Sequence, residues 1–193
     1  MRALIARRER RRPRRALRTK GEAGFTLIDM LFVIALIGLL SAMALPSLTR
    51  ARTAAQSAAA VGTIRTIGSA QLTFAITCGL GFYAPDLPAL GMDPPGSTTS
   101  FLSDDLASAT TVIKSGYSFT VGATALAGAP ASCNGVPAGS GAPGYVVLGD
   151  PLDPIASPRF FASNADGVIY EHNLTLNGIM PEFGAPAAGA PFK

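Results

Sequence analysis

From its N-terminus onward the chain changes character three times. Residues 25–45 form an apolar run in which only Thr26, Asp29 and Ser41 are polar. As a helix this run would be about 32 Å long, close to the roughly 30 Å of hydrocarbon in a bilayer. Pro46 follows, and its missing N–H predicts a kink or a local opening. From Ser47 to Cys78 the pattern becomes that of an amphipathic helix. Ala51, Ala54, Ala58, Val61, Ile64 (or Arg65), Gly68, Leu72 and Ala75 mark one face, with Ile67, Gln71 and Phe74 alongside. Arg50, Arg52, Thr53, Gln56, Thr63 and Thr66 mark the polar side. This second helix is either continuous with the first or a separate core helix.

Residues 79–193 read as short strands between turn-rich connections. Residues 103–107 predict one helical turn with an acidic start. Residues 117–121, 145–148, 159–163 and 168–171 carry strand patterns, and Asp166-Gly167 is a hairpin signal between the last two. Three or four antiparallel strands against the helix predict an α+β head. The closing stretch GAPAAGAPFK is of low complexity and reads as a loosely attached tail.

Charge sharpens the picture. Residues 1–24 hold nine Arg and one Lys against Glu9 and Glu22, a surplus of about eight positive charges. The remaining chain has six basic and ten acidic residues, so the formal net charge of +4 conceals a basic leader on a mildly acidic body. The run RRERRRPRR could meet phosphates by charge alone, but no aromatic residues interleave it and no nucleic-acid fold motif accompanies it. Beside an apolar span, the positive-inside rule is the better account, with the N-terminus cytoplasmic.

Three readings of the span compete. It is a plain transmembrane anchor, a secretory signal peptide cut at the A-x-A site Ala42-Met43-Ala44, or a segment cut at its cytoplasmic end and kept. The signal-peptide reading would release a soluble binding domain after Ala44, but its apolar region normally runs only about 7–15 residues. The plain anchor leaves Asp29 without a reason, since a carboxylate deep in lipid costs about 2.5–3.5 kcal/mol.

The third reading supplies the reason. Gly24-Phe25-Thr26-Leu27-Ile28-Asp29, after a basic leader and opening an apolar span, resembles the prepilin motif of type IV pilins and type II secretion pseudopilins. The resemblance implies cleavage after Gly24 by a prepilin peptidase, N-methylation of Phe25, and an assembly role for Asp29 at the position where the family usually has Glu. Gly38 and Pro46 resemble the helix-weakening glycine and proline of many pilins. One continuous helix over residues 25–78, about 80 Å long, is implied as well. Its first half would be transmembrane and then filament core, and its second half would pack on the head at 79–193. The implied partners are other pilins or pseudopilins, the peptidase and an inner-membrane assembly platform. The implied location is the inner membrane before assembly and a surface or periplasmic filament afterwards.

Physical chemistry supports such a role for Asp29. Cleavage before Phe25 would create an α-amine that is mostly cationic near neutrality, one helical turn from Asp29. At 4 Å and an effective dielectric near 20, such a pair attracts by about 4 kcal/mol before desolvation is subtracted.

Beyond the span, Cys78 and Cys133 would lie outside the cytoplasm, where disulfides persist, and they are expected to pair. His172, the single histidine, stands beside Glu171 with no nucleophile pattern around it. The spacing of Asp150, Asp153 and Asp166 fits no calcium loop. Neither a cofactor nor an enzymatic activity is expected.

Overall fold

A computed structural model of the chain describes residues 24–192. The leader expected over residues 1–24 therefore lies outside the described residues, except for Gly24. Two compact units divide the chain, Met1–Ala44 and Leu45–Lys193. The fold is α+β: one long helix, α1 (Leu27–Thr77), packs through its second half on a small antiparallel sheet. Two short helices follow, α2 (Leu87–Gly91) and α3 (Asp104–Ala107). Six strands complete it: β1 (Thr111–Lys114), β2 (Tyr117–Gly122), β3 (Val146–Pro151), β4 (Phe160–Asn164), β5 (Ile169–His172) and β6 (Ala190–Pro191).

The sheet is a meander in which each strand pairs antiparallel with its neighbour in sequence. It has six strands where three or four were expected. β1 joins β2 through Ser115-Gly116, both at positive φ (51° and 81°), the geometry of the two-residue turn that matches strand twist. Glycine tolerates this at Gly116, while Ser115 accepts a left-handed conformation that side chains disfavour. At the other edge, the expectation of a loose tail gives way. Ala190 and Pro191 pair with β5, Phe192 N–H donates to the Ile169 carbonyl at 2.8 Å, and the Phe192 ring meets Phe161 edge-on.

One face of the sheet packs on α1. Val112, Tyr117, Phe119, Val121, Val147, Phe161 and Ile169 form one core with Ile64, Ile67 and Phe74 of the helix. The other face carries a smaller cluster, in which Ala162 and Tyr170 meet Leu176 and Met180 of the following loop. β4 is therefore buried throughout, because both of its faces are covered.

The buried stripe of α1 is Ser57, Ala60, Val61, Thr63, Ile64, Ile67, Ala70, Gln71, Phe74 and Ala75. Val61, Ile64, Ile67, Gln71, Phe74 and Ala75 are buried as expected from sequence, and the rest of that face is corrected. Ala51, Ala54, Ala58 and Leu72 are exposed, whereas Thr63, assigned to the polar side, is buried. Polar partnerships explain the rotation. Gln71 is fully buried because its Nε2 donates to the Ala84 carbonyl at 2.9 Å and its Oε1 accepts from the Ala84 N–H at 2.8 Å. Ser57 Oγ lies 3.1 Å from the Tyr117 hydroxyl, which also lies 3.1 Å from Ser157 Oγ and the Arg159 carbonyl. A buried amide or hydroxyl is tolerated only when so partnered, and these partners lie on a single side of the helix.

Cys78 and Cys133 form a disulfide at the end of α1. It fastens the long β2–β3 connection, and the Cys133 N–H adds a bond to the Cys78 carbonyl. Asn134 is buried behind it and donates to the carbonyls of Ala89 and Met92.

Two stability outcomes are expected in denaturant unfolding of the full chain. Gln71→Leu strands both backbone groups of Ala84 and should cost about 2–4 kcal/mol. Replacing both cysteines by serine reopens a 55-residue separation and should cost about 4 kcal/mol in the chain-entropy account.

Candidate functional site

The residues singled out from sequence gather at the start of α1. Gly24, Phe25 and Thr26 precede the helix in non-helical backbone and are exposed, Phe25 at 74%. The junction after Gly24 is thus an exposed peptide bond outside the helix. The helix begins two residues later than expected, and its first turn supplies the cause. Thr26 N–H donates to Asp29 Oδ2 at 3.0 Å, Thr26 Oγ1 donates to the same oxygen at 2.5 Å, and Asp29 N–H donates to Thr26 Oγ1 at 3.3 Å. This is a reciprocal capping box, with Thr26 as N-cap and Asp29 three residues on. Its signature, Thr-x-x-acid, stands in the sequence, but attention to the charge alone passes over Thr26 as the partner. An anion here also meets the positive end of the helix dipole.

From Gly24 to Arg52 every residue is exposed. Leu27, Leu31, Phe32, Ile34, Leu40 and Leu45 are all more than half exposed, so this part of α1 is apolar and exposed. Its hydropathy and length suit a membrane span. At Gly38 a Cβ would meet nothing within 4 Å, so the glycine answers to no close approach within the described chain. Helix α1 includes Pro46, and Thr49 Oγ1 donates to the Pro46 carbonyl at 3.0 Å. Proline deprives the Ala42 carbonyl of its usual donor.

The second candidate region lies at the β5–β6 edge of the head. Arg159 Nε and Nη2 donate to the two oxygens of Glu171, both at 2.7 Å, and the guanidinium lies over the rings of Phe161 and Phe192. Beside this pair is an open depression of about 740 Å³ that also touches His172, Asn173 and Pro191. His172 Nδ1 receives the Leu174 N–H, which turns the chain out of β5. The three aspartates considered from sequence serve separate local purposes. Asp150 accepts from Thr175, Asp153 caps the N–H groups of Ile155 and Ala156, and Asp166 accepts from Gly184. Among the described residues no three His, Cys, Asp or Glu side chains group as metal ligands.

No protein-family model matches the chain, and neither a curated protein nor a solved structure matches it.

Two carboxylates of the head titrate with opposite sign. Hydrogen bonds from Arg159 hold Glu171 below the usual carboxylate range. A depressed folded pKa stabilises the head above the ordinary glutamate value of about 4.3, and this is lost as pH falls through the folded value. Partial exposure of both partners limits the pair to about 1 kcal/mol. Asp150 is pushed up by burial, against a smaller lowering by the Thr175 hydroxyl, and its Oδ1 is buried with no partner among the described residues. A raised folded pKa favours the fold below the ordinary aspartate value of about 3.9, and that advantage is lost as pH rises through the folded value. In thermal melts, Asp150→Asn should exceed the parent at pH 7 and lose that lead at pH 3. Glu171→Gln should melt lower than the parent at pH 7 and converge with it at pH 3 or below.

Proposed function

We propose that the chain is a structural subunit of a type IV pilus-like filament, cleaved after Gly24 and assembled by packing of its apolar helix among those of other subunits. The observation that carries this reading is the division of α1. One helix serves as head core over its second half and presents an exposed apolar surface over its first, directly behind an exposed Gly24-Phe25 junction. Lipid can cover that surface before assembly and neighbouring helices can cover it after, which is the exchange a filament subunit must make.

The capping box gives Asp29 two successive partners. Before cleavage its carboxylate is occupied by Thr26 of its own chain. Cleavage would add the Phe25 amine, on the same chain or on a neighbour, as a stronger, charged partner. Without an amine in reach, an ionised Asp29 opposes entry into a dry bundle; with one, it favours the register that brings them together. N-methylation keeps the amine cationic and so leaves the pairing available. A secretion pseudopilin would use the same steps, and the location of the filament distinguishes the two: on the cell surface, or confined to the periplasm.

N-terminal mass spectrometry of the mature protein should find a chain that starts at N-methyl-Phe25. A start at Leu45 would instead mark a released soluble domain and overturn the proposal. Asp29→Ala should still be cut yet yield at least tenfold fewer sheared filaments, Asp29→Glu should retain them, and wild-type assembly by Asp29→Ala would remove its assigned role.

A further inference from the structure

β5 ends at His172, and Asn173, Leu174 and Thr175 follow in an exposed turn. Asn-x-Thr with a residue other than proline in the middle is the acceptor pattern for N-linked glycans on surface loops of exported proteins. Of the four asparagines in the chain, Asn134, Asn164, Asn173 and Asn177, only Asn173 has a hydroxyl residue two places on. Burial and bonding separate them further. The side-chain amides of Asn134 and Asn164 are buried and donate to backbone carbonyls, so neither nitrogen is available. Asn173 is exposed, and its side-chain amide has no hydrogen-bond partner among the described residues.

The turn is held on either side of this free amide. Leu174 N–H donates to His172 Nδ1 at 3.2 Å, Thr175 Oγ1 donates to Asp150 Oδ2 at 2.9 Å, and Asn177 N–H donates to Thr175 Oγ1 at 3.2 Å. Asn173 also borders the open depression lined by Arg159, Glu171, Pro191 and Phe192. That surface sets apolar carbon beside charged donors and acceptors. A pyranose offers the complement, a C–H face rimmed by hydroxyls.

We propose that Asn173 is an N-glycosylation site whose first sugar rests against this depression. The proposal depends on the reading above only in requiring that the head be exported. In the transfer, Asn173 Nδ2 attacks C1 of the reducing-end sugar of a polyprenyl-diphosphate-linked oligosaccharide. The N–C1 bond forms, the bond from C1 to the diphosphate oxygen breaks, and polyprenyl diphosphate leaves with the electron pair. One amide proton passes to a carboxylate of the transferase. The Thr175 hydroxyl completes the acceptor pattern. In the folded head Thr175 is engaged by Asp150 and Glu171 by Arg159. Transfer therefore precedes the docking of this turn onto β3.

The test is mass spectrometry of the full chain purified from the organism that encodes it, reading the tryptic peptide from Phe160 to Lys193 and the N-terminus of the same sample. A glycan mass localised to Asn173 is expected. It should vanish in Asn173→Gln and in Thr175→Ala and persist in Thr175→Ser, which keeps the hydroxyl. An adduct that survives Thr175→Ala, or that maps to a serine or threonine, overturns the assignment. An unmodified Asn173 in a chain that starts at Phe25 overturns the glycan alone. An unmodified Asn173 in a chain that retains residues 1–24 overturns both this proposal and the filament reading, and a glycan on a chain that starts at Leu45 overturns the filament reading alone.

Discussion

An apolar helical surface cannot be left in water, and α1 carries about six turns of one that stand exposed. At roughly 1.5–3 kcal/mol for each large side chain returned to an apolar environment, the covering of this surface outweighs the whole stability of an ordinary domain. The polar groups at the start of the helix are paired internally by Thr26 and Asp29, so the helix end carries its own hydrogen bonds into whatever covers it. The serines and threonines farther along do likewise: Thr49, Thr53, Thr66, Ser69, Thr73 and Thr77 each return a hydroxyl to a carbonyl of the preceding turn.

The head solves a different problem with the same helix. A stripe of Ala, Ile and Val is too uniform to specify one rotation of a helix on a sheet. Specificity comes instead from polar groups that have partners at one rotation only. Gln71 brackets both backbone groups of Ala84, and Ser57 reaches the hydroxyl of Tyr117. Misplacing either would bury an unsatisfied group at a cost of about 1–3 kcal/mol, more than a single leucine contact recovers. Gly68 contributes to the same fit, since a Cβ there would stand 3.3 Å from the Tyr145 hydroxyl, whose own pKa burial raises to about 12.

Much of this was legible in the sequence, because alternation and apolar length are local signals. The four expected strands appear at 117–122, 146–151, 160–164 and 169–172, and the Asp166-Gly167 turn lies where its dipeptide pointed. The helix phase was legible only in part: Val61, Ile64, Ile67, Gln71, Phe74 and Ala75 are buried as expected, but Ser57 and Thr63 are buried too and Leu72 is not. Hydropathy ranks Leu72 and Ile76 above Gln71 and Ser57, yet the former are exposed and the latter buried, since the deciding partners are far away in sequence. β1 was missed because Thr111–Lys114 is a four-residue edge whose turn has serine at a left-handed position. β6 was missed because a Gly/Pro/Ala tail carries no strand propensity and pairs only as β5 presents an open edge. At the start of α1 the residue types were plain, but charge drew attention to Asp29 and away from the threonine that holds it.

The meander also sets a timetable. Strands adjacent in sequence close small loops, and such contacts form early in folding. β1 with β2 and β4 with β5 need only short turns, so these two hairpins can close early, whereas β2 with β3 must close the long connection that carries Cys133. The covalent joining of Cys78 to Cys133 comes last, on the scale of seconds to hours. Cys78 lies on the buried side of α1, so the bond can close only when the helix end faces the β2–β3 connection. Once formed, that bond leaves the end of α1 and the β2–β3 connection joined whichever of the two opens first.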